Sequence, residues 1–206
     1  MTEKIGVSLN VDGVEREELE VDCLLIGAGP ANLACAIHLQ RLLKERGAED
    51  KMVLVLDKAE EIGHHTLSGA VMNPKGIAEL FPDWRAKDFP VESEVTWDAA
   101  EIFLGEKKHM RLSGPFVPPQ LKNHGNFIVS MNKVVGWMKD QAEEAGVEVY
   151  PGFAAASLLA EGSRIVGCQT RDSGLDKNGE KKPTFEPGMN VKAQVTVMGE
   201  GVRGSL

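Results

Sequence analysis

Residues 21–39 read VDCLLIGAGPANLACAIHL. The apolar run Val21–Ile26 meets Gly27-Ala28-Gly29-Pro30, and an apolar helical run from Leu33 to Leu43 follows at once. This order of strand, tight glycine turn and helix start seats a dinucleotide pyrophosphate. Gly27 and Gly29 let the backbone turn sharply and come close to a phosphate. Free N–H groups and the helix dipole then stabilise the negative charge. The pattern departs from G-x-G-x-x-G at its third glycine, where Asn32 stands. A third glycine permits close helix–strand packing. Asn32 is therefore expected to loosen that packing or lower affinity without abolishing binding.

Working outward, the helix runs from Pro30 to Arg46, with proline in its first turn and Gly47 just past its end. Its first half is apolar almost all round and is expected to be well buried. Met52–Leu56 is a second apolar strand ending in Asp57-Lys58, so residues 21–57 form one βαβ unit. Asp57 follows Gly27 by thirty residues, somewhat more than the usual spacing for an acid that hydrogen-bonds a ribose hydroxyl. NAD and FAD both suit this arrangement. Pro30, in the form G-A-G-P-A, favours the flavin. So does the late strand ending Val197-Met198-Gly199-Glu200-Gly201, which returns an acidic glycine turn to the cofactor.

The rest of the chain is consistent with an α/β fold. Residues 1–20 read as a mobile lead-in, or as a first strand with a turn at Asp12-Gly13. Residues 60–130 are irregular, apart from a short helix starting at Asn73-Pro74 and stopping before Pro82. Lys133–Ala145 is amphipathic, with Val134, Met138, Ala142 and Ala145 on one face, and Val147–Tyr150 is a strand. Residues 154–171 read as a hairpin turning at Glu161-Gly162-Ser163. Asp176–Gly179 is a polar turn, and Val191–Met198 is a final strand. Ile77, Leu80 and Phe81 form an i, i+3, i+4 stripe with Trp84 beyond it. Read from the residues alone, this stripe packs on the domain rather than lying on a membrane surface.

With 206 residues the chain can bury one core, or one and a half. A formal charge of −8 without a basic cluster argues against nucleic acid as a partner. No apolar run is long enough to span a bilayer. The N-terminus, MTEKIGVSLNVDGVEREELE, has neither the apolar core of a signal peptide nor the basic character of a transit peptide, so a cytosol-facing protein is expected. Cys23, Cys35 and Cys168 form no C-x-x-C pair and read as buried reduced thiols, with no zinc or iron–sulfur ligand set. His64 and His65 are adjacent, point opposite ways on an extended segment, and read as loop histidines. No metal ligand and no acid–base or nucleophilic residue is assigned.

Four stretches carry a specific resemblance: VDCLLIGAGPANLACAIHL, GHHTLSGAVMNPKGIAELFPDW, NHGNFIVSMNKVVGWMKDQAEEAGVEVYPGFAAASLL and FEPGMNVKAQVTVMGEGVRGSL. In this order they resemble the N-terminal part of the electron-transfer flavoprotein–ubiquinone oxidoreductase family, over nearly the whole chain from Val21. The LSGA-x-x-x-P segment and NHGNFIVS are more specific than the glycine turn. The resemblance implies an FAD and 4Fe-4S enzyme at a membrane surface. Such an enzyme takes electrons from reduced electron-transfer flavoprotein and passes them to ubiquinone. The implied fold is a three-layer, Rossmann-like FAD-binding domain over residues 21–206 with a parallel sheet, plus part of a β-rich second region.

Carried over by residue, Gly27, Ala28, Gly29, Pro30, Ala31 and Asn32 make the pyrophosphate turn. Asp57 and Lys58 lie at the ribose, and Ser68 and Gly69 near the flavin ring. Ala154 and Ala155 approach the adenine end through backbone atoms, and Glu200 and Gly201 form the later flavin turn. The resemblance also makes residues 68–89 a peripheral membrane-contact segment, with Ile77, Leu80, Phe81 and Trp84 on the lipid. The family's cluster cysteines and most of its quinone site lie beyond position 206, so the chain is expected to be part of a longer enzyme. Two alternatives stand beside this reading: a related flavoprotein reductase of the geranylgeranyl reductase type, and a non-catalytic nucleotide-binding fragment.

Overall fold

The computed structural model describes residues 3–5, 10–67, 69–202, 204 and 206. In chain order, the strands before the second helix are β1 (Glu3–Ile5), β2 (Glu18–Ile26), β3 (Val53–Leu56) and β4 (Ala70–Met72). Next come β5 (Val91–Glu94), β6 (Ala100–Phe103), β7 (His109–Leu112), β8 (Phe127–Val129) and β9 (Glu148–Tyr150). The last are β10 (Ala155–Glu161), β11 (Arg164–Thr170), β12 (Ser173–Leu175), β13 (Lys181–Glu186) and β14 (Asn190–Met198). The helices are α1 (Pro30–Glu45), α2 (Lys75–Leu80) and α3 (Met131–Ala145). The chain divides into two compact units, residues 1–66 with 135–206, and residues 67–134.

The first unit is α/β. Its seven-stranded sheet has the order β1-β10-β11-β14-β2-β3-β9. Strands β14, β2, β3 and β9 run parallel, and β11, β10 and β1 extend the sheet antiparallel. Leu24, Leu25 and Val53–Leu56 are fully or almost fully buried, which is why these strands read as unbroken apolar runs. Each such side chain contributes roughly 1.5–3 kcal/mol by leaving water. Strand β2 starts at Glu18, ahead of the apolar run, because Glu18–Glu20 pair in register with Asn190–Lys192 where the sheet is still open to solvent.

Helix α1 connects β2 to β3 and packs on both. Leu33, Ala36, Ile37 and Gln40 form its buried face. The expectation of burial all round needs correction. Cys35 lies on the opposite face and is exposed, whereas Cys23 and Cys168 are buried. Burial pushes the Cys168 thiol up to about 12 and also raises that of Cys23, so both are inert at neutral pH. On α3, Val134, Met138 and Ala142 are buried as their spacing predicts, and Val135 joins them.

The lead-in is not a loose segment over its described part. Asn10 Nδ2 donates to Gln169 Oε1 (2.9 Å) and to the Thr170 carbonyl (2.7 Å), and its Oδ1 accepts from the Asp172 N–H (2.8 Å). The Arg16 guanidinium grips the Asp172 carboxylate, and both side chains are withdrawn from solvent. Arg16 also donates to the carbonyls of Gly188 (3.0 Å) and Val11 (2.9 Å). Asp172 in turn accepts from the Gly188 and Val11 N–H groups, both at 2.8 Å. Burial works to raise the Asp172 pKa. The bond from Arg16 and those two N–H groups outweigh it and hold the carboxyl at about 2. A charged pair joining positions 156 apart leaves no trace in local composition.

The second unit carries two small antiparallel sheets, β4-β8-β5 and the hairpin β6-β7. Reading residues 60–130 as irregular misses them, because β5, β6 and β7 are mostly exposed and show no clean alternation. The lipid-facing assignment of the 77–84 stripe also needs correction. Ile77, Phe81 and Trp84 are buried, and Leu80 is half-buried. Trp84 packs edge-on against Phe89 (5.2 Å) and Phe127 (5.4 Å), so the stripe is core.

Candidate dinucleotide site

The parallel strands end together. Met198 pairs with Ile26, Ile26 with Leu56, and Leu56 with Tyr150. Open α/β sheets bind ligands beyond such carboxyl ends. There the turns Gly27–Gly29, Asp57–Ala59 and Gly199–Gly201 line one cleft of about 760 Å³, together with Phe153–Ala156 and Arg171. That volume lies within the roughly 300–1,000 Å³ typical of cofactor sites.

Backbone geometry builds the cradle. Gly27 has φ +96, and a Cβ there would lie 2.7 Å from the Gly199 carbonyl oxygen, so the two glycine turns touch. The Gly27 N–H donates to the Leu56 carbonyl (2.7 Å), and the Gly199 N–H donates to that of Ile26 (2.9 Å). Gly29 is the N-cap of α1, no side chain caps it, and Pro30 opens the helix. A Cβ at Gly29 would meet nothing within 4 Å. The uncapped first turn therefore presents the donors and dipole that suit a diphosphate.

Asp57 sits at the end of β3 as the βαβ pattern predicts. Its Oδ2 accepts from the Ala28 N–H (2.6 Å) and its Oδ1 from the Ala59 N–H (2.8 Å). The carboxylate thus fixes the glycine turn to its own loop. Each oxygen keeps a lone pair for a ribose hydroxyl.

Asn32 differs from its expected role. It is buried, and its Nδ2 donates to the carbonyls of Ile26 (2.9 Å) and Gly27 (2.8 Å). Instead of loosening the helix start, its carboxamide ties α1 to the end of β2.

Of the residues singled out in the sequence, Gly27, Ala28, Gly29, Asp57, Lys58, Ala154, Ala155, Glu200 and Gly201 line the cleft together. Pro30 and Ala31 begin α1 and are exposed, and Asn32 lies beneath them. Gly69 belongs to the second unit, and Ser68 lies outside the described residues. Thr66, Phe153 and Arg171 also line the cleft without a signal in the sequence, and His65, read as a loop histidine, lines it too. Arg171 ends the 154–171 hairpin, and its N–H donates to the Ala154 carbonyl at 2.7 Å, which sets it at the cleft. Lys58 and Arg171 add positive charge suited to a diphosphate. The glycine cradle, uncapped helix start and carboxylate all fit the ADP half of FAD. Among the described residues, no group of three or more His, Cys, Asp or Glu is placed to hold a metal ion, and no helix is long and apolar enough to cross a membrane.

No family model matches the chain. The chain is 46% identical over 195 residues to the mitochondrial electron transfer flavoprotein–ubiquinone oxidoreductase of Mus musculus, covering 94% of this chain and 31% of that protein. Relatives of the same description from other organisms lie between 40% and 45%. Among solved structures, a geranylgeranyl bacteriochlorophyll reductase-like protein from Thermoplasma acidophilum superposes with a TM-score of 0.60 at 19% identity, over 89% of this chain and 40% of that one. A myxobacterial chondrochloren halogenase, described as a variant of FAD-dependent halogenases, gives 0.57 at 19% identity, over 90% and 38%. These structures share the fold, that of FAD-binding flavoproteins, of which this chain forms a part. The chain spans about a third of the length of the curated relatives it matches. Over that span its sequence is similar to the electron transfer flavoprotein–ubiquinone oxidoreductases, at 40% to 46% identity.

Proposed function

We propose that the cleft holds FAD and that the chain is the dinucleotide-binding part of an oxidoreductase passing electrons from electron-transfer flavoprotein to ubiquinone. The observation that carries this reading is the convergence of three glycine or acidic turns, 27–29, 57–59 and 199–201, at the carboxyl ends of adjacent parallel strands. The identity to the oxidoreductases supports the choice of donor and acceptor. Bound FAD supplies the redox chemistry itself. The chain's residues bind and orient it. The first turn of α1 takes the diphosphate, Asp57 accepts from the ribose, and the backbone at Ala154 and Ala155 borders the adenine. The chain titrated with FAD is expected to quench flavin fluorescence at a one-to-one ratio. Asp57→Ala should weaken binding by about tenfold or more, as expected for losing charge-assisted hydrogen bonds. Tighter binding of NADH than of FAD, or no binding of either, would overturn the assignment.

A membrane surface belongs to the same proposal, at a different place from the 77–84 stripe. Between Trp97 and Leu121, the side chains of Trp97 (71%), Phe103 (73%), Leu104 (67%) and Phe116 (76%) are strongly exposed. Ile102 and Met110, paired across the β6-β7 hairpin, are exposed as well. Lys107 and Lys108 sit at the hairpin tip, and the Arg111 guanidinium lies 5.1 Å from the Trp97 ring. Aromatic and aliphatic side chains edged by basic ones suit the interface of an anionic bilayer. The chain should float with anionic vesicles in a density gradient. The variant Trp97→Ser/Phe103→Ser should stay in the soluble fraction, whereas retained flotation would remove the hairpin from the contact.

A further inference from the structure

The third position of the glycine motif and the second glycine turn meet in space, and their side chains exclude one another. A Cβ placed on Gly199 would fall 2.3 Å from Asn32 Nδ2, 2.4 Å from its Cγ and 2.4 Å from its Oδ1. A methyl group at 199 would thus lie inside the Asn32 carboxamide. That carboxamide is also fully engaged as a donor. Its Nδ2 reaches the Ile26 carbonyl, which the Gly199 N–H also uses, and the Gly27 carbonyl one residue on. Gly27 is in turn pressed against the Gly199 carbonyl. Helix α1, the end of β2 and the end of β14 are therefore joined through one side chain.

We infer that Asn32 and Gly199 are a matched pair, and that Asn32 is a positioning residue for the phosphate turn rather than a ligand of the cofactor. A glycine at position 32 would let the helix pack closely on the strand. Here the side chain fills the interval and replaces bare contact with two hydrogen bonds, on condition that position 199 has no side chain. Asn32→Gly leaves a void and takes one partner from the Gly27 carbonyl. Gly199→Ala drives the carboxamide from its seat. Together, Asn32→Gly/Gly199→Ala places a methyl where the carboxamide was. Asn32→Asp keeps the shape but replaces the donor with an oxygen facing two carbonyl oxygens.

The test is a double-mutant cycle read two ways. The first reading is the thermal midpoint of the chain without added cofactor. Each single variant should melt lower by several degrees, on the scale of about 2–4 °C per kcal/mol for a chain of this size. Asn32→Asp should fall furthest, and the double variant should regain most of the loss. Additive losses in the double variant would overturn the pairing. The second reading rests on the proposal that the cleft takes FAD. At a temperature where every variant is folded, FAD should dissociate about tenfold faster from the single variants and at nearly the parent rate from the double. Equal dissociation rates across all variants would reduce Asn32 to a purely structural role and overturn the positioning assignment. Failure of the parent chain itself to bind FAD would count against the functional proposal, while the melting cycle would still decide the pairing.

Discussion

Arg16→Met is expected to lower the unfolding free energy by about 3–5 kcal/mol at neutral pH, because it leaves a buried carboxylate without its cation. Neither Arg16 nor Asp172 keeps appreciable contact with water, so the removed charge cannot be replaced by solvent. The loss should extend beyond the pair. Arg16 also holds the Val11 and Gly188 carbonyls, which join the lead-in to the turn before β14. In the parent chain, Asp172 titrates at about 2 folded, against an ordinary value of 3.8. A lowered folded pKa stabilises above the unfolded pKa, and that contribution drains away as the pH falls from about 4 through about 2. The shift corresponds to roughly 2–3 kcal/mol. In Arg16→Met burial acts without the guanidinium against it, so the acid-induced loss should flatten. Urea unfolding at pH 7 and at pH 3 measures both effects. A loss below about 1 kcal/mol at pH 7 would place the pair among exposed ion pairs of little consequence and refute its structural role.

Arg16 also marks the limit of what the sequence reveals. Apolar continuity and punctuation locate β2, α1, β3, α3 and β14 to within about three residues, because each buries apolar side chains along a run or on one face. The glycine turn and Asp57 are legible for the same reason: they lie where buried strands end. What the sequence hides depends on distant partners. Asn10 and Arg16 look like ordinary polar lead-in residues until β11 and the turn before β14 come beside them. Arg171 enters the cleft only through hairpin register. The stripe at Ile77, Phe81 and Trp84 has helical spacing, which indicates an apolar face but not what covers it. Phe89 and Phe127 cover the Trp84 end of it, the latter from well along the chain. Asn32 is the most instructive case. Its substitution for glycine reads as damage to a motif, and its value depends on a glycine at 199 that no local pattern links to it.

Two alanine substitutions in one turn, Gly27→Ala and Gly29→Ala, should have opposite characters. Gly27 combines a left-handed φ of +96 with a Cβ position 2.7 Å from the Gly199 carbonyl oxygen. Left-handed backbone costs an alanine roughly 1–2 kcal/mol, and overpacking against rigid backbone adds about 1–3 kcal/mol. Gly27→Ala should therefore destabilise the chain by about 3 kcal/mol, lowering its melting midpoint by roughly 6–12 °C. Gly29 has φ −74, an ordinary value for alanine, and open space where its Cβ would point. Gly29→Ala should leave the midpoint within a few degrees, or raise it slightly by restricting the unfolded chain. Its methyl would stand at the helix start that lines the cleft, where close backbone approach to a diphosphate is needed. FAD affinity should consequently fall in both variants, through a displaced turn in Gly27→Ala and through direct obstruction in Gly29→Ala. Measuring melting and FAD binding side by side separates the two causes. If Gly29→Ala bound FAD as the parent does, the diphosphate would not lie against the first turn of α1, and the cleft's proposed orientation of the cofactor would have to be abandoned.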